Sequence, residues 1–188
     1  MNSKRLGIAV ALAGGAVACG QGRAIFNVDI YSFLKGSVKD TVPYAAPPLT
    51  PNFTASNTPQ KINLVPGLGS SGIDTVKVTG SADLRNQSGG PGTLRFQVYL
   101  ASDSAGTYAA GRDSMFNPVP SGSVSGATTT PIVFGAPNLS PTGNALFTKS
   151  AIWVRIVATV SNPTATLLQG KAVLTGLQLR VVVQDKIF

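Results

Sequence analysis

The segment Asp74–Leu100 decides the fold class, and it reads DTVKVTGSADLR, NQSGGPG and TLRFQVYL in succession. In the first and last of these runs, apolar or small residues occupy every second position. Such alternation is typical of a strand with one buried and one solvated face, and the Gly-rich run between them is typical of a turn. We therefore predict a β-hairpin over residues 74–101. The side chains predicted to be buried are Val76, Val78, Leu84, Phe96 and Val98, and those predicted to be exposed are Lys77 and Arg95.

Alternation of the same kind extends over most of the remaining chain. It predicts strands at 26–31, 61–64, 132–134, 151–160 and 167–186, a weak strand near Val124, and a bulge at Gly170 or Gly176. The chain also contains 21 Gly and 13 Pro, and only 12% of its residues are charged. These features predict an all-β fold, an antiparallel β-sandwich or jelly roll of about eight strands. We expect one such domain over residues 19–188, preceded by a separate segment at 1–18.

One tract does not follow the alternating pattern. Residues 43–59 contain Pro43, Pro51, the Pro47-Pro48 pair and Pro59, a density that disfavours a helix or a central strand. We predict an extended surface arm there. Ordering such an arm costs about 1–2 kcal/mol per residue in backbone entropy. A partner protein is therefore expected to hold it, with Tyr44 and Phe53, its only aromatics, as the contacts.

The composition excludes several kinds of chemistry. The 188 residues include no His, and all seven acidic residues are Asp. Without His, the usual general base and the His-dependent catalytic triads are missing. A single Cys excludes an intrachain disulfide and a zinc site built on paired cysteines. The formal charge is +8, but no basic stripe alternates with aromatic residues, so we predict no nucleic-acid binding. From the missing His and the single Cys we also predict no catalytic residues, no metal and no cofactor.

The N-terminus has the composition of a secretory signal. Lys4 and Arg5 precede thirteen uncharged residues, Leu6–Ala18, a run shorter than the roughly 20 residues that a spanning helix needs. The sequence Ala16-Val17-Ala18-Cys19 resembles the lipobox of bacterial lipoproteins, although that family usually carries Leu where this chain has Ala16. The resemblance implies cleavage before Cys19, lipid attachment to Cys19 and a place on the periplasmic face of a bacterial membrane. The alternative is that Cys19 is a small apolar residue of an uncleaved helix.

Three short motifs have ordinary structural explanations. Residues 67–72 match G-x-G-x-x-G, but a strand pattern follows where a dinucleotide site needs a helix. Ser32 and Lys35 match S-x-x-K, which serine–lysine enzymes place on a helix, whereas an extended segment would point the two side chains to opposite faces. Asp103 and Asp113 are candidates for a carboxylate pair, and surface solvation is the simpler interpretation.

Two classes of function remain. The leading hypothesis is a non-enzymatic, lipid-anchored structural or assembly subunit whose partners are the bilayer and other subunits of a membrane complex. A bioenergetic complex, such as a photosynthetic reaction-centre and antenna assembly, is one host that this hypothesis allows. The alternatives are a carbohydrate- or envelope-binding module, or a virion or surface-layer subunit. Trp153 is predicted either to pack under a loop or to form part of a partner surface or sugar platform, where Tyr99 is the other candidate.

Overall fold

The computed structural model describes residues 23–64, 72–109, 116, 119–136, 138–139 and 145–184. The predicted signal segment 1–18 and Cys19 lie outside these residues. The described chain forms ten strands and the short helix α1 (Ile30–Gly36). The strands are β1 (Arg23–Asp29), β2 (Thr41–Ala46), β3 (Thr50–Ser56), β4 (Gln60–Asn63), β5 (Gly72–Asn86), β6 (Gly92–Ala101), β7 (Ser121–Val124), β8 (Thr129–Ala136), β9 (Ala151–Asn162) and β10 (Leu168–Gln184).

The strands form two five-stranded sheets in which every pairing is antiparallel. Sheet I has the order β1-β10-β5-β8, and β2 pairs with the other end of β10. Sheet II has the order β3-β9-β6-β7, and β4 likewise shares the edge of β9 with β3. The apolar inner faces of both sheets form one core. The predicted all-β antiparallel sandwich is therefore confirmed.

The connectivity is that of a jelly roll. Each sheet is four positions wide, because β1 and β2 together fill one edge of sheet I and β3 and β4 together fill one edge of sheet II. Counting each of these split edges as one strand leaves the eight strands expected of a jelly roll. From β2 to β10 the chain repeatedly crosses from one sheet to the other. Residues that are distant in sequence therefore become neighbours within each sheet.

The predicted hairpin at 74–101 is wrong in its pairing but right in its buried residues. Strand β5 pairs with β10 and β8 in sheet I, whereas β6 pairs with β9 and β7 in sheet II. The intervening turn is closed by the buried Asn86, whose Nδ2 donates to the Gly90 carbonyl over 2.7 Å. Alternation identifies the buried face of a strand but not the strand it pairs with. Two strands that face each other across a core therefore give the same pattern as two strands paired in a hairpin. Val76, Val78, Leu84, Phe96 and Val98 are all fully buried.

The predicted arm at 43–59 is also corrected, because most of it is strand. Strand β2 and strand β3 occupy edge positions, where a missing proline N–H costs little. Tyr44 is only 4% exposed and its hydroxyl donates to the Arg85 carbonyl over 3.0 Å. Phe53 packs against the core from β3. Both aromatics therefore contact their own domain, which removes the reason for assigning them to a partner.

A buried asparagine explains how this Pro-rich tract is ordered. The Asn162 side chain is 1% exposed and its Nδ2 donates to the carbonyls of Ala46, Pro47 and Thr166 at 2.8–3.1 Å. Its Oδ1 accepts from the Thr164 N–H over 3.0 Å. One side chain thus joins the β2–β3 turn to the β9–β10 turn and gives the carbonyls of both turns a buried hydrogen-bond donor.

The strand predicted at 26–31 ends earlier, at Asp29, where helix α1 begins. Asp29 is the N-cap and accepts from the Ser32 N–H over 3.3 Å. Ile30 and Leu34, one helical turn apart, are both fully buried. The helix buries both side chains on one face, and this burial stabilises a helix here more than a continued strand would.

The bulge predicted in the last strand lies at the second of its two candidate positions. The register between β10 and β5 shifts between Leu174 and Gly176, which confirms Gly176. Gly170 instead lies in regular register opposite Asn86 and Tyr44. The weak strand predicted near Val124 is also confirmed, as β7.

Candidate interaction face

Three aromatic side chains and one arginine gather on the outer face of sheet II. Tyr99 in β6 lies opposite Arg155 in β9, and Trp153 lies two residues away on the same face, opposite Ala101 and Lys61. Tyr108 follows β6, and its ring covers the Arg155 guanidinium. We call Tyr99, Tyr108, Trp153 and Arg155 the aromatic–arginine face. Trp153 is partly exposed and Tyr108 is 54% exposed, so a partner could contact both rings.

The Arg155 guanidinium contacts two aromatic rings and one backbone carbonyl. Its central carbon lies 4.2 Å from the ring centroid of Tyr108 and 5.0 Å from that of Tyr99. Its Nε and one terminal nitrogen donate to the Thr107 carbonyl at 3.1 and 2.6 Å. Cation–π contacts of this kind contribute about 0.5–1 kcal/mol each at exposed sites. The guanidinium is therefore held in one orientation before any partner binds.

A short 3₁₀ turn at Ala105–Tyr108 brings Tyr108 and Thr107 to this face. Asp103 Oδ1 accepts from the Gly106 N–H over 2.6 Å, and the Thr107 hydroxyl donates to the Ser104 carbonyl over 2.7 Å. Thr107 itself is 1% exposed. The turn is thus tied down by its own polar side chains, which places the Thr107 carbonyl and the Tyr108 ring over β9.

The electrostatic character of the face is positive. Burial lowers the pKa of Arg155 from its ordinary value, and the nearby Tyr108 and Tyr99 act in the opposite direction. An arginine remains protonated despite such a shift. Within the part of the chain that the structure describes, no carboxylate forms a salt bridge with Arg155. Among the described residues, the charge meets two ring faces and one carbonyl, so the guanidinium can still attract an acidic or carbonyl group of a partner.

A shallow groove continues the same outer face toward the end of β9. It has a volume of about 230 Å³ and is polar, with Arg95 as its charged residue. Its lining residues are Pro51, Asn52, Thr93, Arg95, Thr159 and Ser161. Pockets for drug-sized ligands enclose about 300–1,000 Å³ and are mostly apolar. The groove therefore extends a contact surface and has neither the size nor the lining of an enclosed ligand site.

The S-x-x-K motif does lie on a helix, which corrects the expectation that Ser32 and Lys35 point to opposite faces of an extended segment. The Ser32 hydroxyl donates to the Asp29 carboxylate, and the Lys35 ammonium lies 5.6 Å from the Tyr31 ring centroid. Both side chains are exposed. The serine is thus a helix cap partner and the lysine covers an aromatic ring, so neither has the placement of a catalytic pair.

The other predicted positions have separate outcomes. Asp103 accepts a hydrogen bond from the Gly106 N–H in the 3₁₀ turn, whereas Asp113 and residues 67–71 of the G-x-G-x-x-G match lie outside the described residues. Strand β5 begins at Gly72, the last glycine of that match, so a strand and not a helix follows it, as expected. Among the described residues, no group of acidic, His or Cys side chains is placed to bind a metal. In the same residues, no helix is long and apolar enough to cross a bilayer.

Sequence reasoning paired Tyr99 with Trp153 but missed Arg155 and Tyr108. Arg155 occupies an outward position of β9, where a charged residue normally signals solvent exposure. Tyr108 sits in a Ser- and Gly-rich stretch without periodicity. The available signal was the spacing of Asp103 and Gly106, which is typical of a side chain that caps a turn.

Comparison with known proteins does not assign a family. No protein-family model and no curated protein matches the chain. One solved structure, described as infectious bursal disease virus, Gx strain, is similar over 88% of this chain at 10% sequence identity and a TM-score of 0.44. The similar region covers 34% of that structure's chain, so this chain spans about a third of its length. Likeness at this level carries no functional argument, and the fold class rests on the strand pairing above.

Proposed function

We propose that this chain is a non-enzymatic structural subunit, attached to a bacterial membrane through a lipid on Cys19 and docked on another protein subunit through the aromatic–arginine face. The observation that carries the proposal is the preorganised Arg155, which contacts the rings of Tyr99 and Tyr108 and the Thr107 carbonyl and lies beside a partly exposed Trp153. Tyr, Trp and Arg are the residue types enriched at the energetic centres of protein interfaces. A preordered guanidinium loses little further entropy when a partner binds.

The anchor is supported by the sequence at 16–19 and by the composition of the segment before it. A single acyl chain holds a protein only marginally, so stable attachment needs further chains or further contacts. A docked subunit would supply such a contact. The partner is therefore expected at the aromatic–arginine face and not at Tyr44 and Phe53.

The direct test is retention in gently solubilised native membranes. The Tyr108→Ala and Trp153→Ala double variant should lose most of its co-migration with the host complex, because it removes two rings that the interface would bury. Phe33→Ala is the matched control, since Phe33 is an aromatic of similar exposure, 41%, on α1. Full retention of the double variant, with normal folding, would contradict docking through this face.

A carbohydrate-binding function is the second candidate, and one observation favours it. Tyr99 and Trp153 lie on neighbouring strands of the same outer face, the arrangement expected of a sugar platform. Trp153 is the only Trp in the chain, so its fluorescence reports this face alone. A shift in that fluorescence on adding peptidoglycan fragments, together with pull-down on intact peptidoglycan, would favour the carbohydrate function over protein docking. Closed shells of this chain alone in electron micrographs would favour the surface-layer or virion hypothesis instead.

A further inference from the structure

The outer face of sheet I carries two pairs of like charges placed directly opposite each other. Lys77 in β5 lies opposite Arg180 in β10, and Arg85 in β5 lies opposite Lys171 in β10. All four side chains are exposed. Like charges at directly opposed positions of an antiparallel pair destabilise the sheet. A protein that keeps two such pairs on one face has a cationic surface suited to an anionic partner.

Acidic groups on this face do not neutralise it. Asp83 forms a salt bridge with Arg85 at 3.0 Å, and Asp29 caps helix α1 at the end of β1. The exposed Asp74 of β5 forms no salt bridge with Lys77 or Arg180. Within the described part of the chain, no carboxylate forms a salt bridge with Lys77, Lys171 or Arg180. Three of the four cations therefore remain available.

The position of this face relative to the proposed anchor suggests the partner. Three residues separate Cys19 from Arg23, the first residue of β1, and the four steps between their Cα atoms span at most about 14 Å. Strand β1 is the edge strand of sheet I, and its Asn27 lies opposite Arg180, which in turn lies opposite Lys77. Since neighbouring strands are about 4.8 Å apart, the Lys77–Arg180 pair lies within about 10 Å of β1. A lipid on Cys19 would thus hold these cations near the bilayer surface.

Exposed aliphatic side chains accompany the cations. Ile25 in β1 lies opposite Val182, and Val133 in β8 lies opposite Ser81, so both occupy the outer face of sheet I. Ile25 is 42% exposed and Val133 is 86% exposed. Cations interspersed with aliphatic groups on one face fit a bilayer interface, where headgroups attract the charges and the apolar groups enter the boundary region.

We propose that the outer face of sheet I, through Lys77, Arg180, Lys171 and Arg85, binds the anionic lipid headgroups of the membrane to which Cys19 is attached. This proposal rests on the anchor in the proposed function. The two sheets pack face to face, so contact of sheet I with the bilayer directs the aromatic–arginine face of sheet II away from the membrane. A docking partner must then extend beyond the bilayer surface to reach it.

The test uses the full-length Cys19→Ser chain, which carries no acyl group, and phosphatidylcholine vesicles with and without about one third phosphatidylglycerol. Each cation near an anionic surface contributes about a fivefold gain in binding, so Lys77→Gln with Arg180→Gln should weaken binding to anionic vesicles on the order of 30-fold. Binding to neutral vesicles should be unchanged, and salt should reduce the difference. The matched control is Lys61→Gln with Arg95→Gln, which removes the same charge from the outer face of sheet II and should change binding less than about twofold.

Two outcomes would overturn the proposal. One is that both double variants weaken binding to anionic vesicles equally, or that neither variant weakens it. The other is loss of binding to a single-stranded DNA oligonucleotide without loss on vesicles, which would make the anionic partner a nucleic acid. Misfolding is checked by thermal unfolding, where Lys77→Gln with Arg180→Gln should be at least as stable as the parent because it removes a like-charge pair. The assay contains neither partner subunit nor acyl chain, so its result is independent of whether the proposed docking and lipidation are correct.

Discussion

Burial of the Tyr44 side chain raises its pKa to about 12. The ordinary tyrosine pKa is about 10, so the folded state holds this proton more tightly than the unfolded state does. The resulting stabilisation is complete below about pH 10 and is lost as the pH rises toward 12. The free energy of unfolding of the native chain should therefore fall by about 2 kcal/mol more than that of Tyr44→Phe over this range.

Chemical denaturation at several pH values measures the difference. Below pH 10, Tyr44→Phe should itself cost about 1 kcal/mol, since the Arg85 carbonyl loses its 3.0 Å hydrogen bond from the tyrosine hydroxyl. Parallel stability curves for the two proteins up to pH 12 would show that Tyr44 is solvated. Its side chain would then be accessible to a partner protein, as the sequence predicted.

Only part of the aromatic–arginine face could be predicted from the sequence. Outward placement of Tyr99 and Trp153 follows from period-two alternation along a strand. Recruitment of Arg155 depends on a carbonyl in the turn at Ala105–Tyr108, which is 48 residues away in sequence. Contacts of that kind depend on which strands pair, and a local pattern carries no information about pairing.

At the scale of elements, Gly170 marks a place where three strands approach closely. A Cβ added there would collide with the Arg85 carbonyl of β5 and would lie 2.6 Å from the Tyr44 hydroxyl of β2. Gly170→Ala should therefore cost about 1–3 kcal/mol, as overpacking of a close-packed site does. Gly36→Ala is the control, because a Cβ at Gly36 meets nothing within 4 Å.

Denaturant unfolding of the two alanine variants compares these costs. Equal stability of Gly170→Ala and Gly36→Ala would mean that β2 does not pack on β10 as described. In that case the tract at 43–59 would again be the surface arm that its prolines suggest.

The strands themselves were largely predictable, whereas two features of their arrangement were not. Side-chain alternation correctly identified the buried faces of β5 and β6. It could not show that β5 and β6 belong to different sheets, because both bury one face in the same core. The edge strands β2 and β3 were missed because proline density is a local signal, whereas the hydrogen bonds of Asn162 that order them come from the far end of the chain.

At the scale of the whole molecule, the proposed lipid anchor on Cys19 would determine where the domain works. Cys19→Ser should release the protein into the soluble periplasmic fraction or leave it as an unprocessed precursor. Intact-mass measurement of the native protein should show residues 1–18 removed and an acyl mass on Cys19. A mature chain that retains residues 1–18 with an unmodified Cys19 would contradict the lipoprotein interpretation.

The two proposed surfaces have distinct physical signatures. Headgroup binding by the outer face of sheet I should weaken steeply with salt, because it depends on exposed charges. Docking through the aromatic–arginine face should depend less on salt, since ring burial supplies much of its free energy. Adding the purified Cys19→Ser chain back to native membranes that lack the native protein, at rising salt, therefore separates the two contributions.

Hydroxyl-radical footprinting of native membranes tests docking through the aromatic–arginine face most directly. Oxidation of Tyr108 and Trp153 is measured in intact membranes and in the purified chain, with Phe33 on α1 as an internal reference. Docking through this face predicts that Tyr108 and Trp153 are oxidised several-fold more slowly in membranes, while the oxidation of Phe33 is unchanged. Equal oxidation of Tyr108 and Trp153 in the two samples would show that the face is uncovered in the cell and would contradict the proposed function.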